Sequence, residues 1–124
     1  MFISKKEGEN QVFEWLSTAS RRFRKYEASL WLATQNVGDF LHDAVKQYGE
    51  TLLNGADTKY IMRQRSTDIE KLQSLFGINE GESSLIESST QGNGLLWAGN
   101  VKLYAHNDVA EPILNIIRST GGGR

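Results

Sequence analysis

The sequence of 124 residues has no cysteine. Disulfide frameworks and thiolate-held metal sites are thereby excluded. It has no long apolar run either. Nothing approaches the roughly 18 residues of a membrane-spanning helix, and the opening MFISKKEGEN is too polar for a signal peptide. The expectation is a soluble, intracellular protein. An excess of one charge is also missing: 14 Lys and Arg face 15 Asp and Glu, for a net charge of −1. Nothing global draws the chain toward nucleic acid or anionic membrane. The two histidines, His42 and His106, are far apart and lack metal-ligand spacing. A triad of His42 with Asp39 or Asp43 has no nucleophile elbow to support it. Gly92, Gly94 and Gly99 make no dinucleotide fingerprint, because no helix opens behind them. The terminal GGGR lacks the strand and the Lys-Ser/Thr pair of a phosphate loop.

What is present suits one domain with a modest core: 39% of residues are hydrophobic and 23% charged. Val12, Phe13, Leu16, Ala19, Phe23 and Tyr26 recur at helical spacing, which predicts an amphipathic helix over Glu9 to Tyr26. Arg21, Arg22, Arg24 and Lys25 suit its C-terminal end. The stretch SLWLATQN follows. Its four apolar residues, Leu30 to Ala33, read as a buried strand that stops in the polar cluster Thr34, Gln35 and Asn36. One or two helical turns and a short helix are expected over Asp39 to Leu53, closed by Asn54-Gly55. A strand follows at Thr58 to Gln64. A helix capped at Ser66-Thr67 then carries Ile69, Leu72, Leu75 and Phe76, and ends at Gly77. NEGESSLIESS is a weaker helix, with Glu80, Glu82 and Glu87 toward solvent. Gly92-Asn93-Gly94 reads as a turn. LLWAGN and VKLYAH form a hairpin about Gly99-Asn100. A closing helix runs from Val109 to Ser119, before a Gly-rich tail over 119–124. Trp15, Trp31 and Trp97 fall on core-like positions.

Alternation of helices and strands makes the class α/β, with parallel pairing expected in the first half. In open α/β sheets ligands gather outside the carboxyl ends of the strands. That is where Thr34 and Gln35 fall, and a Gln amide there can bond a phosphate or a water. The basic groups Arg24-Lys25 and Arg63/Arg65 admit two readings: a solvated surface, or guanidinium contacts to an anion.

The run RRFRKYEASLWLATQNVGDFL resembles the segment after the Walker B strand in the type IV secretion and conjugative-transfer ATPases. These are RecA-like P-loop motors related to the FtsK and HerA translocases. The resemblance rests on Arg24-Lys25-Tyr26, the strand Leu30 to Ala33, Thr34-Gln35 and Asp39-Phe40-Leu41. It continues through LLNGADTKYIMRQRSTDIEKL and GNGLLWAGNVKLYAHNDVAEPIL, from about Val12 to Ile117. It implies the C-terminal half of a RecA-like P-loop NTPase domain over 1–118, ending in a β-hairpin and a closing helix.

The resemblance implies that Thr34-Gln35 senses the γ-phosphate, with Gln35 orienting the attacking water. Arg24 and Lys25, with Arg63 and Arg65, become phosphate contacts, one of them an arginine finger toward a neighbouring subunit. Gly92 and Gly94 would lie near the nucleotide base. The complete motor would use ATP and Mg²⁺. It would form a hexamer with secretion-channel proteins at the cytoplasmic face of the membrane, and net charge does not point to DNA. The chain has neither the Gly-x-x-x-x-Gly-Lys-Ser/Thr loop nor an apolar strand ending in Asp-Glu, which supply phosphate and Mg²⁺ handling in such motors. The expectation is therefore a C-terminal piece of a longer motor, neither binding nucleotide tightly nor hydrolysing it alone. It should be poorly soluble or partner-dependent because of an unpaired strand edge. A fragment of an FtsK/HerA-type DNA motor, or a non-enzymatic module docking on a complete motor, are the alternatives.

Overall fold

The computed structural model describes residues 5–121. The helical spacing of the first third becomes α1, Lys5–Phe23. It runs on into a single 3-10 turn, Arg24–Tyr26. Glu27 then goes left-handed, at φ 53°, and the Ala28 N–H donates to the Phe23 carbonyl at 3.0 Å. That pairing is the Schellman closure of a helix, here made without the usual glycine.

A second 3-10 turn, Val37–Phe40, leads to α2, Lys46–Gly55. α1 packs on α2, and the rings of Phe13 and Phe40 meet edge to face at 5.3 Å. Gly49 makes the close fit of α2 against that turn possible. A Cβ there would stand 1.7 Å from the Phe40 carbonyl oxygen.

The rest is a sheet with helices on one face. β1 is Thr58–Met62, α3 is Ser66–Phe76, and α4 is Glu80–Ser88. β2 is Asn93–Ala98, β3 is Val101–His106, and α5 is Glu111–Gly121. α3 stops where Gly77 turns left-handed at φ 65°. α4 starts on a capping box: Asn79 Oδ1 accepts from the Glu82 N–H at 2.8 Å, and Glu82 accepts from the Asn79 N–H at 3.1 Å. The β2–β3 hairpin turns at Gly99-Asn100, as expected, with φ 56° at the glycine. Positive φ at only the first turn residue is what a II′ turn demands.

The core is Val37, Ile69, Leu72, Ile78, Ile86 and Leu95, ringed by Leu41, Leu53, Ile61, Phe76 and Trp97. Ile61 faces Leu95 across the β1–β2 pair, so the inner face of the sheet and the apolar sides of α3 and α4 share one interior. Next to it, Lys59, Trp97 and Lys102 form a row across the sheet. The Lys102 ammonium sits 4.2 Å from the Trp97 ring centroid and 3.0 Å from Glu82 Oε1. Glu82 is thus half-buried and doubly used, not merely solvated as the sequence suggested.

Mixed helix and sheet stands as expected, but the pairing does not. The sheet is three-stranded in the order β1-β2-β3, and both of its pairs are antiparallel. Two helices lie between β1 and β2, so the chain reverses three times and β2 returns pointing against β1. A parallel pair would need one helix.

The SLWLATQ run is not a strand. Residues 28–35 follow an irregular path, and Trp31 is 91% exposed. Trp15 is exposed as well. A strand requires a neighbour whose N–H and C=O groups complete its own. No strand among the described residues pairs with this one; β1 pairs only with β2, and its other edge has no strand beside it. α5 extends two residues past the expected end, into the first part of the Gly-rich tail. Residues 122–124 of that tail lie outside the described residues.

Candidate functional site

Thr34 sits in a local loop that it closes itself. Its hydroxyl lies 3.1 Å from the Asn36 carbonyl and 3.3 Å from Asp39 Oδ2, and it accepts from the Asn36 N–H at 3.4 Å. Local bonds of this kind hold a turn without regular secondary structure. Gln35, beside it, is exposed.

This loop is tied to a distant part of the chain. The Val37 N–H donates to Gln64 Oε1 at 3.3 Å, across 27 residues, and Gln64 Nε2 donates to the Arg63 carbonyl at 3.1 Å. Gln64 therefore splices the turn after Gln35 onto the connection between β1 and α3. The two meet at an open cleft of about 430 Å³ lined by Asn36, Arg63, Gln64, Arg65, Ser66 and Glu87. Ser66 is the first residue of α3, and its hydroxyl donates to Glu87 Oε1 at 2.6 Å.

The cleft is rich in donors. The ion pairs among the described residues are Arg24–Asp57, Lys46–Glu50, Lys71–Asp68 and Lys102–Glu82. Neither Arg63 nor Arg65 is in one. Two unpaired guanidiniums at the N-terminus of a helix form a setting for an anion, since the helix dipole adds to their charge.

The remaining sequence candidates separate. Arg24 lies 4.0 Å from Asp57, both side chains being exposed. Asp57 precedes β1 and Arg63 follows it, so about 20 Å of extended backbone divides the Arg24 contact from the cleft. Lys25 is exposed beside Arg24. Gly92 and Gly94 stand at the cleft's end of the sheet, because Gly94 pairs with Met62. Both have backbone reasons for being glycine. Gly92 has φ 83°, and its carbonyl accepts from the Tyr60 hydroxyl at 2.7 Å and from the Asn107 N–H at 2.8 Å. A Cβ on Gly94 would lie 2.5 Å from the Ile61 carbonyl oxygen.

One titration is perturbed, away from the cleft. Burial pushes the Lys59 ammonium below its ordinary 10.5, partly opposed by the Asp57 carboxylate. The same ammonium lies 5.1 Å from the Phe76 ring and 5.2 Å from the Trp97 ring. This is a structural cation–π contact beneath the hairpin.

Reading the sequence alone missed Asn36, Gln64, Ser66 and Glu87 as cleft residues. Gln64 lay inside the expected strand, Ser66 was expected as a cap, and Glu87 as a solvated helix residue. Only the pattern Arg-Gln-Arg-Ser, with three polar groups before a helix start, could have flagged Gln64 and Ser66. Among the described residues no three His, Asp or Glu side chains cluster to hold a metal ion, and no helix is long and apolar enough to cross a membrane.

No protein-family model matches the chain, and no curated protein matches it. Among solved structures, it is similar to VirB4 of Thermoanaerobacter pseudethanolicus, at 32% sequence identity and a TM-score of 0.77. The match covers 85% of this chain and 28% of the VirB4 chain.

Proposed function

From the premise that this chain is a VirB4-like segment of a type IV secretion ATPase, we propose that it supplies one wall of the nucleotide site in a RecA-like motor that drives conjugative transfer or secretion across the cell envelope. The likeness to VirB4 over 85% of the chain carries this reading. The splice between the Thr34-Gln35 loop and the Arg63–Ser66 connection supports it. The chain spans 28% of the VirB4 chain, so the activity of the whole motor is part of the proposal.

In this reading Gln35 orients the attacking water or reads the γ-phosphate through its amide, and Thr34 fixes the loop that presents it. Arg63 and Arg65 contact phosphate oxygens. Arg24 and Lys25, at the far end of β1, do not reach the same phosphate. They act on the nucleotide of a neighbouring subunit, with Arg24 as the finger. Gly92 and Gly94 keep that end of the sheet low beside the base. Mg²⁺ bound with the nucleotide would supply neutralisation of phosphate charge. The described residues offer it no cluster of their own. A hexamer docked on secretion-channel proteins at the cytoplasmic face of the membrane completes the proposal.

The test is a graft. This chain replaces the matching segment of Thermoanaerobacter VirB4, and ATP hydrolysis is measured. Gln35→Ala in the graft lowers kcat by about 100-fold with KM for ATP little changed, the size expected when one positioned donor is lost. A folded graft that hydrolyses ATP equally well with and without Gln35 would remove this residue from the chemistry.

A further inference from the structure

The cleft between the β1–α3 connection and α4 holds more donors than its own anion can use. Arg63 and Arg65 bring two guanidiniums outside any ion pair among the described residues. α3 begins at Ser66, and the Arg65 carbonyl accepts from the N–H groups of Asp68 and Ile69. The N–H groups of Ser66 and Thr67 come earlier in the helix than any intrahelical acceptor. Against these stands one carboxylate, Glu87, bonded to the Ser66 hydroxyl at 2.6 Å. That is the short range of a charge-assisted O–H···O⁻ bond.

Glu87 is badly placed for its own helix. It lies in the last turn of α4, Glu80–Ser88, which has no basic residue in that turn. A carboxylate there meets the negative end of the helix dipole and destabilises α4. Its favourable interactions are therefore with the cleft.

We infer that the cleft is a phosphate-binding site and that Glu87 is its built-in competitor. This rests on the phosphate reading of Arg63 and Arg65 and adds a means of regulating them. An incoming phosphate takes the Ser66 hydroxyl, meets both guanidiniums and the first N–H groups of α3, and displaces the Glu87 carboxylate. Affinity for phosphate is thereby held down while Glu87 occupies the Ser66 hydroxyl. Any movement of α4 away from α3 would raise it. Free phosphate and a nucleotide phosphate both fit the site, because both present the same oxygens.

The experiment titrates the full chain with inorganic phosphate and, separately, with ADP at low ionic strength. Heat and the Ser66 and Thr67 amide resonances are followed. Wild type is compared with Glu87→Gln and with the double variant Arg63→Gln/Arg65→Gln. All three substitutions are at exposed positions, and circular dichroism checks that the fold is kept. Glu87→Gln should bind phosphate roughly five-fold tighter, the effect of removing one unit charge about 4 Å away in water. The double arginine variant should lose at least about ten-fold, and wild-type binding should weaken with salt. Tighter binding of ADP than of phosphate assigns the site to a nucleotide, and equal binding assigns it to phosphate alone. Equal affinity of wild type and Glu87→Gln would overturn the role of Glu87 and leave the arginines as phosphate ligands. Absence of saturable binding in every variant would overturn the phosphate reading of the cleft as well, while leaving the Gln35 test untouched.

Discussion

Two stretches of this chain carry strong β-forming signals, and only one of them forms a strand. GLLWAG, which runs along β2 into the hairpin turn, has Leu95 buried at 3% exposure between two partner strands. SLWLATQ carries the same four apolar residues, two Leu, one Trp and one Ala, and its Trp31 stands 91% exposed. The difference is not composition. β2 has β1 on one side and β3 on the other, so each of its backbone groups has a partner and its side chains have α3 and α4 to pack on. SLWLATQ has no such neighbour among the described residues. Apolar alternation states what a segment can do, and a partner decides whether it does it.

The same contrast separates the two halves energetically. In the first, α2 packs on α1 and on the Val37–Phe40 turn, and it comes closest to that turn at Gly49. Gly49→Ala would drive a methyl into the Phe40 carbonyl. It should cost about 3 kcal/mol or more and unhinge α2 from the Val37–Phe40 turn. Chemical denaturation with near-ultraviolet circular dichroism reads both effects. A loss below about 1 kcal/mol would mean that this half yields easily.

In the second half, the Glu82 side chain completes the capping box of α4 and pairs with Lys102. Glu82→Ala removes both contacts and leaves Lys102 alone against Trp97. The expected loss is about 1–2 kcal/mol, read by thermal unfolding. A neutral outcome would show that the capping box is redundant with packing.

The smallest effect tests the comparison most directly. Trp31→Ser should change the stability of the chain by less than about 0.5 kcal/mol, because the side chain is in solvent. If it instead destabilises like a core substitution, the run is a buried strand in solution and the contrast fails. In the VirB4 graft the same substitution discriminates further. A larger loss there would show that the rest of the motor covers Trp31.

Much of the second half was legible in the sequence. The spacing of Ile69, Leu72 and Phe76 with Gly77 behind them marks a helix and its stop. The Gly-Asn turn between two alternating runs marks a hairpin. These are local signals, and the local physics that sets them needs no distant partner. The candidate site was legible only in pieces. Thr34-Gln35 and Arg63/Arg65 stood out by residue type, while the bond that joins them is made by Gln64, a residue without any distinguishing pattern. Asn79 and Glu82 form an Asn-x-x-Glu box, a local signal for the start of α4 in a stretch whose apolar spacing is weak. The long-range bond from Ser66 to Glu87 had no signal, since it exists only because α4 packs beside α3.

By itself the sequence determined the start of α3 at Ser66, its stop at Gly77, the burial of Ile69 and Leu72 on its inner side, and the two-residue turn at Gly99-Asn100. Backbone propensity and apolar spacing are sufficient for that. The tertiary structure alone decided three further things: that β1 and β2 run antiparallel, that SLWLATQ stays unpaired, and that Asn36, Arg63, Arg65 and Glu87 share one cleft. Each of these depends on which segments become neighbours in space, and that is set by the sum of packing across the whole chain.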